Sequence, residues 1–235
     1  MTFPGFPKQA VRFLAGLRDH NDKSWFEAHR PDYEQALLNP AVAFIQALAP
    51  RLRKIDPDIQ VDPRVNGSIL RINRDIRFSK DKSPYNGHLD LWFWSGERKG
   101  WQSSGFFLRL SPDRLLLGAG MHQFTATALP RYRAAVVDAR QGAALASVVG
   151  RLRKAGYQVG TESYKRVPAG VAPDHPRAAL LRHGGLHASW QSRLPRELGT
   201  EAFVAFAARH FAALAPLHRW LRSLRGGASS EGFSP

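Results

Sequence analysis

Apolar residues recur at helical intervals in the first part of the chain. Residues 7–19 carry such a stripe, which predicts a first helix. Ser24, followed by Glu27 three residues later, has the form of a capping box, so a second helix is predicted to begin at Ser24. Pro31 interrupts this helix, which we expect to form two short pieces that end near Leu38.

A further helix is predicted to begin at Asn39-Pro40, an N-cap followed by proline at the first helical position. Its apolar stripe continues to Ile55, and Pro50 is expected to kink or restart it. The sequence Asp56-Pro57-Asp58 ends this helix.

Beyond Pro63 the pattern changes to short strands. Candidate strands are residues 67–72, 88–94, 105–110 and 114–118. Ser111-Pro112-Asp113 is typical of a hairpin turn between the last two. A succession of strands without intervening helices predicts antiparallel pairing rather than a doubly wound sheet.

Helical patterns return in the second half, at residues 127–139, 142–155, 177–183 and 200–225, with one more candidate strand at 186–191. The predicted fold is therefore a single α+β domain over residues 1–225. Its antiparallel sheet, at about residues 67–119 plus 186–191, packs against N- and C-terminal helices. Residues 226–235 have no apolar face and are expected to be a disordered tail.

Composition excludes several classes of function. The 235 residues are 43% apolar, enough for one sizeable core, and contain no cysteine. Disulfides, thiolate zinc sites and cysteine nucleophiles are thereby excluded. The first residues do not resemble a signal peptide, and no apolar run approaches the roughly 18 residues of a membrane span. We therefore expect a cytoplasmic protein without a membrane partner; the oligomeric state stays open.

The formal net charge is +15. Such an excess favours an anionic partner, either a small anionic ligand or nucleic acid. An alternative is that the charge only reflects an arginine- and alanine-rich composition, so a local cluster of charge is more informative than the total.

One such cluster, which we call the basic loop, spans residues 71–85 and follows the first candidate strand. Five cations and two carboxylates lie within it: Arg71, Arg74, Arg77, Lys80 and Lys82, with Asp75 and Asp81. Arginine grips phosphate or carboxylate through two parallel hydrogen bonds, and the two aspartates would orient the cations. The pattern predicts a pocket for a phosphorylated or otherwise anionic ligand.

Three further residues are candidates for the same pocket. Tyr85 would stack on the ligand or donate a hydrogen bond to it. Lys165 and Arg166 lie in a second basic segment, within a loop rich in proline and glycine, and would extend the pocket if the fold brings the two segments together.

Two alternatives to a ligand pocket stay open. In one, the Arg-Asp cluster only stabilises the fold of a structural or partner-binding protein. In the other, the chain is a nucleic-acid-binding module without chemistry. The sequence does not decide whether the protein is an enzyme.

Motifs for other chemistries are weak or absent. There is no phosphate-binding glycine loop, and Gly118-Ala119-Gly120 is interpreted as a strand end followed by a turn. The nine histidines form no metal-binding motif, so no metal or cofactor is predicted. His88 and His122 are candidate acids or bases, although a structural role is the more frequent one for histidine.

The segment SILRINRDIRFSKDKSPY, residues 68–85, closely resembles the signature of the bacterial and fungal domain of unknown function 2461. The segments NDKSWF at 21–26, GAGMH at 118–122 and KRVPAG at 165–170 are similar to other landmarks of that family. The resemblance implies a single α+β domain and directs attention to the basic loop, Lys165 and Arg166, but implies no activity. One departure is Asn86, where the family usually carries lysine.

Overall fold

The computed structural model describes residues 2–96, 103–160 and 162–224. Its centre is a six-stranded antiparallel sheet of order β1-β2-β3-β4-β6-β5. The strands are β1 Ile59–Gln60, β2 Leu89–Ser95, β3 Gly105–Leu110, β4 Arg114–Met121, β5 Gln158–Val159 and β6 Leu186–Arg193.

Helices precede, interrupt and follow the sheet. They are α1 Lys8–Asp19, α2 Lys23–Ala28, α3 Arg30–Asp32, α4 Asn39–Ile55, α5 Ala128–Val137, α6 Ala139–Lys154, α7 Ala178–Leu181 and α8 Ala202–Ser223. A π-helical segment, Tyr33–Leu38, joins α3 to α4, and a 3-10 turn, Arg196–Gly199, precedes α8. The α+β class predicted from the sequence is confirmed.

Helix α8 covers one face of the sheet, because alternate side chains of each strand point to opposite faces. Phe106, Leu108 and Leu110 of β3 are buried on the covered face. The rings of Phe106 and Phe93 lie 5.2 and 6.2 Å from that of Phe211 in α8. We call the face turned away from α8 the outer face; it carries Asp90, Trp92, Phe107, Arg109, Leu116 and Gly118.

Aromatic rings join the beginning of the chain to its last helix. Phe3 and Phe6 contact Phe44 of α4 and Phe203 of α8, with ring centroids 5.1–6.5 Å apart across the group. Aromatic contacts of this kind add roughly 0.5–1.5 kcal/mol each beyond the burial of their area. They help α4 and α8 to pack together on the covered face of the sheet.

The prediction of a strand at residues 67–72 is wrong. The segment makes only isolated bridges, from Ile69 to Leu91 and to Val65, with backbone hydrogen bonds from Leu70 to Asp90 at 3.0 Å and from Trp92 to Ser68 at 2.8 Å. The strands predicted at 88–94, 105–110, 114–118 and 186–191 correspond to β2, β3, β4 and β6. The two-residue strands β1 and β5 are too short for the periodicity of side chains to reveal.

The predicted cap at Ser24 is also wrong. Asp22 caps α2 instead: its Oδ1 accepts a hydrogen bond from the backbone nitrogen of Trp25 at 2.9 Å and from the Ser24 hydroxyl at 2.5 Å. A carboxylate is favoured at this position because it also interacts with the positive end of the helix dipole. Pro50 does not restart α4, which continues through it to Ile55.

The expectation for the chain end falls outside the described residues. The tail predicted at 226–235 lies beyond residue 224. Among the described residues, no helix combines the length and the apolar character needed to cross a bilayer.

A buried carboxylate joins the C-terminal end of α4 to α8 and the sheet. Asp56 is fully buried and accepts hydrogen bonds from His218 Nε2, at 2.9 Å, and from Arg222. The Ser95 side chain also bonds to it, and Ser104 Oγ lies 2.8 Å from His218 Nδ1. Burial alone would raise the pKa of Asp56, but the bonds from His218 and Ser95 outweigh it, so its pKa is lowered.

We expect Asp56→Asn to lower the free energy of unfolding by about 3–5 kcal/mol, because removing one partner of a buried charged group leaves the others uncompensated. Asp58→Asn is the matched control: Asp58 also binds Arg222, at 2.6 Å, but its side chain is 67% exposed. The Asp58→Asn substitution should lower the free energy of unfolding by less than about 1 kcal/mol. Urea unfolding measures both values, and equal losses would contradict a special role for the buried carboxylate.

Candidate functional site

A cavity of about 290 Å³ lies on the outer face of the sheet. Its apolar lining comes from Leu70, Trp92, Phe107 and Leu116. The polar groups around it are supplied by Asp90, Arg109, His122, His187 and Ser189. The volume is close to the lower end of the range of about 300–1,000 Å³ for ligand pockets, which leaves room for one flat ring system.

Two glycines of β4 shape the cavity. A Cβ atom on Gly118 would lie 2.1 Å from Cζ of Phe107, so only glycine leaves room for this ring above the strand. Gly120 has φ +143°, and a Cβ there would lie 2.3 Å from the carbonyl oxygen of Leu186. The interpretation of this segment as a strand end followed by a turn is confirmed: β4 continues through both glycines to Met121, and the chain bends at residues 122 and 123.

Aromatic and imidazole rings stand close together at the cavity. The centroids of His122 and His187 are 4.8 Å apart, and that of Phe107 is 5.3 Å from His122. Trp92 lies 6.3 Å from Phe107. A ring-bearing ligand would therefore meet π surfaces from three strands, β2, β3 and β6, and from the segment that follows β4.

Both histidines favour the neutral form. Desolvation, followed by the proximity of His187, lowers the pKa of His122 to about 4, even though the residue as a whole is exposed to solvent. Burial lowers the pKa of His187, whose Nδ1 is buried beside Gly160 without a hydrogen-bond partner among the described residues.

An ion pair borders the cavity. Arg109 Nε donates to Asp90 Oδ1 at 2.7 Å and Nη2 to Oδ2 at 2.8 Å, while His88 Nε2 lies 3.3 Å from the same carboxylate. Burial raises the pKa of Asp90, but the bonds from His88 and Arg109 outweigh it, so the pKa is lowered. The pair holds the guanidinium plane in place beside the aromatic lining.

The basic loop satisfies most of its own charges. Its ends are joined by the Asn73–Tyr85 bridge. Arg74 Nη1 donates to Asp81 at 2.5 Å and to the Ser83 carbonyl at 3.1 Å. The other internal bonds are a two-point contact of Arg77 with Asp75, at 3.0 and 2.7 Å, and a bond from Lys82 Nζ to the Ile76 carbonyl at 3.0 Å.

The remaining predicted residues do not come together. Arg71, Lys80, Lys165 and Arg166 are exposed and form no ion pair with any residue in the described ranges. The segment before Arg71 pairs with β2, whereas Tyr164 bonds to Arg182, just before β6. Those strands are three inter-strand spacings apart, roughly 14 Å. An anion-binding role for these residues stays a prediction.

Tyr85 lies in the core rather than beside a pocket. Its ring stacks on Phe26 with centroids 4.4 Å apart. Its backbone nitrogen and carbonyl oxygen both bond to the side chain of Asn21 at 2.9 Å. One face of the ring is therefore occupied by the protein itself.

The sequence predictions missed most of the cavity: of its polar residues, only His122 was a candidate acid or base. A mid-strand charge in an otherwise apolar strand was the available signal, at Asp90 and again at Arg109. Their pairing depends on the register between β2 and β3, in which the two residues are direct partners. Register is set by the whole sheet and its connections, which local patterns do not specify.

A group of polar side chains in the core resembles a catalytic triad. Ser104, His218 and Asp56 form a serine-histidine-aspartate arrangement, but all three are buried and Ser104 is only 1% exposed. A nucleophile needs access to its substrate, so this group is assigned to stability. Within the described ranges, no three His, Asp or Glu residues cluster in a way that suits a metal ion.

A family model described as conserved hypothetical protein, DUF2461, matches residues 9–220. The match spans the whole sheet, the cavity and the basic loop. No curated protein matches the chain.

We expect Arg74→Ala to lower the melting temperature by several degrees, since hydrogen bonds of charged groups stabilise by about 1.5–3 kcal/mol. The Arg74 side chain is 24% exposed and holds both Asp81 and the Ser83 carbonyl. Arg77→Ala is the control, because that side chain is 76% exposed and its ion pair is solvated. An unchanged melting temperature in both variants would contradict a stabilising role for the hydrogen bonds of Arg74 within the basic loop.

We expect the imidazole of His122 to stay unprotonated until about pH 4. In the unfolded chain it titrates near 6.5, so acidification between these values favours unfolding. A ¹⁵N-detected NMR titration measures the pKa directly. Phe107→Ala admits water to the ring and should raise the pKa; a value near 6.5 in the unmodified protein would contradict the environment described above.

Proposed function

Because the chain belongs to the DUF2461 family of conserved hypothetical proteins, a description that names no activity, we propose a function from the cavity itself. The protein binds a small ligand that combines a flat ring with an acceptor group, such as a phosphate or a carboxylate. The ring occupies the space between the aromatic side chains, and the acceptor group contacts Arg109.

One observation carries this proposal. Arg109 uses Nε and Nη2 for Asp90, and its Nη1 has no hydrogen-bond partner among the described residues. An arginine that is oriented by one carboxylate and still has a free donor is prepared to bind a second acceptor. This donor belongs to a residue that lines the same cavity as Trp92 and Phe107.

The charge of the lining favours a ring-bearing ligand over a bare anion. At neutral pH, Asp90 and Arg109 compensate each other, and the lowered pKa values leave His122 and His187 uncharged. Affinity then depends on apolar contact and on a few oriented hydrogen bonds, as in most small-molecule sites. Inorganic phosphate alone lacks the apolar part of such a ligand.

The proposal retains the anionic ligand that the sequence predicts but gives it another location. In the basic loop, three of the five cations are engaged by acids or carbonyl groups of the loop itself. At the cavity, a free donor and an apolar surface lie together. The outer face therefore has better support as the site.

The test uses adenosine 5′-monophosphate, adenosine and inorganic phosphate as probes, with thermal shift and tryptophan fluorescence as measurements. A ligand at ten times its Kd stabilises by about 1.4 kcal/mol, which raises the melting temperature by roughly 3–6 °C for a chain of this size. We expect the monophosphate to stabilise most, adenosine less, and phosphate alone not at all.

Arg109→Gln should reduce the shift with the monophosphate to that with adenosine. Arg77→Gln is the matched control, because Arg77 makes the same two-point contact with an aspartate, but in the basic loop. If Arg77→Gln abolishes binding and Arg109→Gln does not, the loop is the site and the proposal for the outer face is wrong.

A further inference from the structure

The register of the sheet places more arginines on the outer face, beyond the cavity. Leu116 and Ser189 line the cavity, and side chains two or four residues away along a strand point to the same face. Arg114 lies two residues before Leu116 in β4, and Arg193 lies four residues after Ser189 in β6. Both side chains therefore point to the outer face. The Cα atoms of Arg109 and Arg114 are separated by one strand and two residues, roughly 8 Å.

Arg114 and Arg193 are direct cross-strand partners. Like charges in such positions destabilise a sheet unless an anion compensates them. Both side chains are exposed; Arg193 forms no ion pair with any described residue, and Arg114 has only the exposed Asp113, at 3.5 Å. The fold thus carries an electrostatic cost that an anionic partner would relieve.

A shallow depression of about 890 Å³ contains this arginine pair. It is lined by Asp113, Arg114, Gln158, Gln191, Arg193 and Leu194, among others. It continues from the cavity, because Gln191 in the depression is the cross-strand partner of Leu116 in the cavity. The outer face therefore presents an aromatic hollow followed by a basic, amide-rich surface.

We propose that the outer face binds single-stranded nucleic acid, with one unstacked base in the cavity and the adjoining phosphates on Arg109, Arg114 and Arg193. This inference rests on the proposed function, since the base is the flat ring of the ligand. Sheet surfaces that combine aromatic rings with cations bind single strands in this way. A duplex is excluded because its bases are stacked inside and cannot enter the cavity.

The net charge of +15 agrees with such a partner. With three arginines on phosphates, the logarithm of the affinity should fall with the logarithm of salt concentration with a slope of about −2. The contribution of base stacking to affinity should not change with salt concentration, because stacking on the aromatic rings does not depend on counterion release.

The experiment measures fluorescence anisotropy of labelled single strands of about eight nucleotides, within the usual range for single-strand sites. RNA, DNA and a duplex of the same sequence are compared over a range of salt. Arg114→Gln/Arg193→Gln should weaken single-strand binding at least tenfold and reduce the slope by about 1.4. Arg131→Gln/Arg140→Gln is the control, since it removes the same charge from exposed positions on α5 and α6.

A second variant tests the base. Phe107→Leu keeps the position apolar but removes the ring, and should weaken single-strand binding by roughly 5- to 150-fold with the salt slope unchanged. Melting temperatures of all variants establish that they are folded. Truncating exposed arginines that face each other should not destabilise the sheet.

The outcomes separate this inference from the proposed function. Binding of adenosine 5′-monophosphate that survives Arg114→Gln/Arg193→Gln, with loss of single-strand binding, supports both. Monophosphate binding without strand binding overturns the inference and leaves the proposed function. Equal affinity for the duplex, or an equal effect of the control variant, also overturns it, and absence of binding to every probe removes both proposals.

Discussion

The buried carboxylate of Asp56 is the constraint on which the arrangement of this fold depends. It bonds to His218 and Arg222 of α8 and to Ser95 at the end of β2, and His218 in turn contacts Ser104 just before β3. A charge in the interior is tolerated only with such a complete set of partners. The set forms only when α4, α8 and the ends of two strands meet, so it holds α8 on one face of the sheet and leaves the outer face uncovered by that helix.

On that outer face, the shape of the cavity results from side chains that are absent as much as from those present. Gly118 accommodates the ring of Phe107, and Gly120 adopts a backbone conformation that other residues rarely adopt. The rigid strands then hold Asp90 and Arg109 as direct partners. Desolvation lowers the pKa of both histidines and favours their neutral forms, so the charges at the cavity are those of the Asp90–Arg109 pair.

The basic loop pairs much of its dense charge internally. Arg74 and Arg77 satisfy much of their hydrogen-bonding capacity with Asp81 and Asp75, and the backbone joins the ends of the loop. Exposed pairs of this kind add little stability individually, but together they order a segment that lacks a core of its own. On the outer face, Arg109 and Arg114 are likewise paired with Asp90 and Asp113, whereas Arg193 forms no ion pair with any residue in the described ranges.

The sequence by itself determined the class of the fold, most of its elements and the family, because local periodicity and turn residues specify helices and hairpins such as Gly105–Leu110 and Arg114–Met121. It also located His122, but not its neighbours. Only the tertiary structure decided that Asp90 faces Arg109, that His187 lies beside His122, and that Arg114 opposes Arg193. These are contacts between distant parts of the chain, and they follow from strand register, for which the spacing of residues along one segment contains no information.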